Sequence, residues 1–318
     1  MSTQNHTAKR LSTLLLLITC LLIGSVSHAQ LLSTPQVLRE SQFDYKTLTP
    51  AASTPAFLAQ ANAEGASRFA FVGDNAFGDP LNPTIVAIYA RALSLPTTYQ
   101  YQTVPTTNST AVFVTQLNAQ AALGYRYFGD QIYAGVIASV LVKENTSATY
   151  HYKTRVPASD ASAFITLVNS EGALGYQYQG DIGLDDGTGN FVFSSIFQRN
   201  TAAPSTYSYE TAPISANAAA LVTQANAQGA RKFIYRGGIS FGTLVFVSLS
   251  LYEKDDTRPD SFRYEQLPRS NSEAAFLSQA NGQGARRFRY FGDVGFKVAP
   301  TASLYASVAP ILVSGFEE

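Results

Sequence analysis

The chain has 318 residues, with 22 Lys+Arg against 22 Asp+Glu and a formal charge of zero, which excludes a global pull toward nucleic acid or an anionic membrane. A single cysteine and no tryptophan exclude a disulfide framework and a cysteine-based metal site.

Residues 1–29 read as a secretory signal peptide. Lys9 and Arg10 form the basic start and Leu11 to Ile23 the apolar run, too short to span a bilayer comfortably. Ser27-His28-Ala29 places small residues at −3 and −1 of a cut before Gln30. Cys20 leaves with this leader, so the expected mature chain is cysteine-free, secreted or periplasmic. It carries no run of the roughly 20 apolar residues that a spanning helix needs. Residues 30–42 form an N-terminal extension.

From Phe43 the chain repeats itself five times, over 43–96, 97–147, 148–203, 204–259 and 260–309, before a tail at 310–318. Each copy opens with an aromatic-x-aromatic strand closed by proline, as in Phe43-Asp44-Tyr45 to Pro50 and Tyr99-Gln100-Tyr101 to Pro105. Period-two aromatics predict a strand with one buried face. A helix follows, with one apolar stripe led by Phe57, Phe113, Phe164, Leu221 and Phe276. Ser159, Ser215 and Ser270 are candidate N-caps, and Pro55 suits a first turn. Near each helix end stands an asparagine (Asn62, Asn118, Asn169, Asn226, Asn281), read as preparing the C-cap or facing polar neighbours. Three residues on, Gly65, Gly172, Gly229 and Gly284 are expected to hold positive φ as C-caps, with Ala121 the exception.

A second aromatic-x-aromatic strand ends in Gly-Asp (Gly237-Gly238 in the fourth copy), and a third strand follows a variable loop. Short links to the next copy predict that the third strand pairs there as a hairpin. The twenty aromatics of the paired strands read as core. The fold class is thus α+β: five tandem βαββ repeats sharing sheets. Two arrangements are open. Re-phased to ββαβ, five units match the order of pentein-type five-bladed α/β propellers, closed into a ring but without the pentein cysteine–histidine pattern. The alternative is an open repeat array.

The phrases Tyr150-His151-Tyr152-Lys153-Thr154 with Asn169, Gly172, Gly175 and Tyr176, and Tyr99-Gln100-Tyr101 with Leu117, Asn118, Gly124 and Tyr125, resemble a small bacterial βαββ domain family of unknown function. Its signature is YEYK…LN-x-x-G-x-x-GW. Here the family's tryptophan is Tyr or Phe, and Arg68, Lys232 and Arg287 replace its second glycine in three copies. The resemblance implies a fold and brings no activity.

Candidate ligand-binding residues are Asp74, Asp130, Asp181 and Asp293 of Gly-Asp, with Arg286 and Arg289 from the basic clusters Arg231-Lys232/Arg236 and Arg286-Arg287/Arg289. Repetition of like carboxylates favours a turn role over catalysis, which needs groups with separated pKa values. A closed ring of them could still meet a cation. The arginines read as a solvated strand face, with an anion as the alternative. The loop Asp181 to Asn190 has no Glu at position 12 of an EF-hand and reads as a hairpin loop. His151, flanked by core tyrosines, should point outward. No phosphate loop or dinucleotide fingerprint occurs, so no cofactor is implied. The leading expectation is a non-catalytic binding or scaffold protein for an unknown protein or envelope polymer. The competing one is a hydrolase of extracellular polymer drawing on Asp130, Asp181, Asp185 and Asp186.

Overall fold

The computed structural model describes residues 41–133, 135–185, 191–242, 247–258, 260–296 and 299–309. The leader with its cut before Gln30, the tail at 310–318 and Asp186 lie outside them, as does the side chain of Asp185.

The order is β1 (Phe43–Leu48), α1 (Thr54–Ala66), β2 (Ala70–Phe77), β3 (Thr84–Ala92), β4 (Tyr99–Val104), α2 (Thr110–Ala121), β5 (Arg126–Tyr133), β6 (Val136–Glu144), β7 (Tyr150–Arg155), α3 (Ala161–Ala173), β8 (Gln177–Asp185), β9 (Phe191–Asn200), β10 (Tyr207–Pro213), α4 (Ala218–Ala230), β11 (Ile234–Phe241), β12 (Val247–Asp255), β13 (Phe262–Pro268), α5 (Glu273–Ala285), β14 (Arg289–Val294) and β15 (Ala302–Val308). This is an α+β repeat architecture of five βαββ units. Each unit is its own antiparallel three-stranded sheet with the third strand central: β1-β3-β2, β4-β6-β5, β7-β9-β8, β10-β12-β11 and β13-β15-β14. The expected hairpin from the third strand into the next copy does not form, and sheets are not shared. The third strand already has a neighbour on each edge within its own unit.

The helices begin at Ser53, Ser109, Asp160, Asn217 and Ser272, whose side chains each accept from a first-turn N–H. The expected caps Ser159, Ser215 and Ser270 fall one or two residues early. In every unit the cap stands four residues before the leading stripe residue, so burial of that residue selects which polar group caps. Pro55 does lie in the first turn of α1. Phe57, Phe113, Phe164, Leu221 and Phe276 are at most 3% exposed, so the stripe is equivalent in all units. Of the twenty strand aromatics only Tyr125, Tyr150 and Tyr207 are half-buried; the others are core.

What joins units is a helix laid on the next unit's first strand. The asparagine of each helix pairs with the backbone of a tyrosine there, like a one-residue strand. Asn62 Oδ1 accepts from Tyr101 N–H at 2.7 Å while its Nδ2 donates to Tyr101 C=O at 3.0 Å. The same pair of bonds links Asn118 to Tyr152, Asn169 to Tyr209 and Asn226 to Tyr264. Asn281 makes it with Tyr45, 236 residues away, at 2.7 and 3.2 Å. The asparagine therefore satisfies an edge strand's free N–H and C=O instead of preparing a C-cap.

The glycines near the helix ends are helical, and the C-cap expectation is wrong for them. Positive φ falls three residues later, at Arg68 (73°), Gly124 (92°), Gly175 (82°), Lys232 (75°) and Arg287 (67°). A Cβ on Gly65 would lie 2.1 Å from the Tyr99 carbonyl oxygen. On Gly172, Gly229 and Gly284 it would meet Tyr207, Phe262 and Phe43 oxygens at 2.2–2.3 Å. Glycine is there so that helix and next-unit strand can touch. In the second unit Ala121 ends α2, one residue before the other helices stop relative to this position.

Candidate functional site

The Gly-Asp position owes its geometry to a bulge. In every unit the ladder slips between the second aromatic and the glycine, as between Phe71 and Gly73 or Tyr290 and Gly292. That glycine has φ between 110° and 148° in all five units, a conformation side chains avoid. The bulge frees the N–H of the aromatic before it. That N–H donates to the next unit's tyrosine hydroxyl, Phe71 to Tyr101 at 2.8 Å and Tyr290 to Tyr45 at 2.7 Å. The equivalent bonds run from Tyr127 to Tyr152, Tyr178 to Tyr209 and Tyr235 to Tyr264.

Past the bulge, the aspartates of three units are held by hydroxyls. Asp130 accepts from Ser139 at 2.7 Å, Asp181 from Ser195 at 2.5 Å and Asp293 from Ser303 at 2.7 Å. The preceding tyrosines, Tyr127, Tyr178 and Tyr290, also hydrogen-bond to them. Burial pushes the Asp130 carboxyl up, and the Ser139 and Tyr127 hydroxyls pull it partway back. Asp293 is further held by Arg269 Nε at 2.7 Å and Asn75 Nδ2 at 3.2 Å. Asp130 and Asp181 therefore brace one sheet each, while Asp293 also ties its sheet to Asn75 of the first unit.

Asp74 is the exception. Its unit has Phe71 where the others have tyrosine and Ala87 where they have serine, so both hydroxyls are missing. Water reaches Asp74, yet the protein crowded round it strips enough hydration to push its carboxyl up to about 6. It is the one candidate carboxylate left without its brace. Among the described residues no group of three His, Cys, Asp or Glu gathers to hold a metal.

The arginines separate into two kinds. Arg286 lies at the surface in a two-pronged pair with Glu265, both contacts at 2.8 Å, as Arg231 does with Glu210. Arg289 is 1% exposed, and Arg236 is half-buried, its side chain 9% exposed beside the buried Glu253. The expected solvated strand face is wrong for these two. Position 289 faces the interior together with Ala70, Arg126, Gln177 and Ile234 of the other units, and so its exposure depends on neighbouring copies. His151 points outward as expected, with Nδ1 2.9 Å from the Tyr176 hydroxyl.

Comparison with family models, with curated proteins and with solved structures returns no match.

The surface carries a feature that the repeat pattern hid. Leu81 and Ile85, Ile132 and Val136, Val192 and Phe193, and Val247 are all exposed, from 41% for Val192 to 95% for Leu81. All sit at the hairpin between second and third strands of units one to four. Those hairpins run past the end of the first strand, since Thr84–Val86 of β3 have partners only in β2. The same end of four units thus presents apolar tips. An alternating strand pattern that keeps its apolar residues beyond the last first-strand partner is the signal that would have found them. Elsewhere an open pocket of about 420 Å³ lies between units three and four, lined by Leu174, Arg199, Thr206 and Thr257 among others, without a carboxylate.

Proposed function

We propose that the chain is a secreted or periplasmic binding or scaffold module, not a hydrolase, and that its five units close into a propeller-like ring. Closure is supported by the Asn281–Tyr45 and Tyr290–Tyr45 bonds, which repeat between the last unit and the first what joins every other pair. The binding reading is carried by the apolar hairpin tips of units one to four. Monomeric proteins scatter exposed apolar residues singly; a set gathered at the same end of four units, with Val136, Val192 and Val247 at one register position, fits a contact surface. The hydrolase reading is weakened because Asp130 and Asp181 already hold Ser139 and Ser195. The resemblance to the βαββ family of unknown function fits a fold reused for binding.

The test is capture of material from a periplasmic or culture extract by immobilised mature chain. A triple variant, Val136→Ser with Phe193→Ser and Val247→Ser, serves as the control. The expected result is a ligand retained by the wild type and lost by the variant while its unfolding midpoint is unchanged. Equal capture by both would overturn the assignment to the tips.

A further inference from the structure

Among the described residues Arg289 is the largest fully buried side chain, and none of them gives its Nε or Nη1 a hydrogen-bond partner. The ionisable groups acting on it are Tyr45, Tyr99 and Arg126. Among the described residues none of these three supplies a counter-charge. Burial pushes Tyr45 up to about 12 and Tyr99 higher, so both phenols stay neutral. The Tyr45 oxygen already accepts from Tyr290 N–H. Arg126 is a second cation, and its ion pair is with Glu144 at 2.9 Å. Burial draws Arg289 itself down to about 10, which leaves it protonated at neutral pH. A buried guanidinium without an anion is costly, and proteins resolve this by pairing.

The residue across the ladder from Arg289 is small. Ala306 pairs with Arg289 across the sheet, and Ala70 and Ala90 hold the same cross-strand places in the first unit. Other units fill these places with Arg126 and Val142, Gln177 and Gln198, or Ile234 and Glu253. Across its own ladder Arg289 therefore faces a methyl group and no acid.

We propose that Arg289, with Arg126 alongside, binds a small monovalent anion of chloride size in the interior where units five, one and two meet. This inference is independent of the hairpin-tip reading.

The experiment uses the mature chain at fixed ionic strength, replacing sodium gluconate by sodium chloride while thermal unfolding is followed. Wild type should gain a saturating rise of roughly 2–5 °C specific to chloride. Arg289→Met, which keeps the stem and removes the charge, should lose that rise. Equal midpoints in gluconate and chloride, or a rise retained in Arg289→Met, overturns the proposal. Should Arg289→Met fail to fold, wild-type crystals grown in bromide decide. An anomalous peak within hydrogen-bonding reach of Nε or Nη1 supports the site, and its absence there overturns it.

Discussion

Asn281 offers the sharpest test of ring closure. Asn281→Ala removes both bonds to Tyr45 and leaves an N–H and a C=O of an edge strand facing the helix without partners. Each orphaned group costs about 1–3 kcal/mol when water is kept out. The site is part-buried, so the lower half applies, and the pair should cost about 2–4 kcal/mol. Asn118→Ala breaks the identical contact with Tyr152 inside the chain and is the reference. Urea unfolding of the mature chain measures both. In a ring the two variants lose equal stability; in an open array Asn281 is a surface residue and its loss should stay within about 0.5 kcal/mol. Asn281→Asp adds a second handle. A carboxylate has no proton for the Tyr45 carbonyl and sets oxygen against oxygen, so it should destabilise at pH 7 and recover partly once protonated. A neutral Asn281→Ala beside a damaging Asn118→Ala would falsify closure.

Three further outcomes follow from named contacts. Gly229→Ala drives a Cβ to 2.3 Å from the Phe262 oxygen and should cost about 1–3 kcal/mol in urea unfolding, whereas Ala121→Gly should be mild because α2 already accommodates its methyl. Asp74 has a folded pKa raised to about 6 from an ordinary 3.8, so its protonated form favours the fold; that stability is present below pH 4 and lost as pH climbs through 6. Asp74→Asn should therefore raise the unfolding midpoint at pH 7 and leave it unchanged at pH 4, by no more than about 1 kcal/mol once solvent screening is allowed for. Phe164→Ala empties a 1%-exposed site packed on Tyr178 and Phe241 and should cost about 3–5 kcal/mol; an unchanged melting curve would contradict the equivalence of the helix stripes.

The repeat, its element order and its core were legible because they depend on spacing within one copy. Phe57 and its counterparts, the aromatic pairs and the outward His151 all follow from local periodicity. What failed depended on the neighbouring copy. A glycine needed for close approach looks the same in sequence as one needed for a left-handed turn. The residues that do take that turn include Arg68, Lys232 and Arg287, which no composition rule flags. The asparagines were found as a column, but their partners lie on the next unit's first strand. Arg289 shares its column with Ala70, Arg126, Gln177 and Ile234, and a mixed column reads as surface when only one copy is considered.

Comparing units separates what the fold requires from what it merely tolerates. The bulge glycine is present in all five units and has positive φ in all five, so the bulge is required. The hydroxyl brace on the aspartate is not, because unit four keeps Tyr235 and Ser250 but has Gly238, and unit one keeps Asp74 but has Phe71 and Ala87. Asp74 cannot be explained by a brace it does not have. Arg289 has no hydrogen-bond partner for Nε or Nη1 among the described residues, so the repeat alone does not explain it. The hairpin tips differ again: Val136, Val192 and Val247 share one register position and Ile85 and Phe193 another, while Leu81 and Ile132 have no exposed apolar counterpart. A core position recurs because neighbours constrain it, whereas these tips have few: Phe193 stacks on Phe191, and Val192 pairs with Leu184. On the binding function proposed above, a partner accounts for the apolar character of the rest.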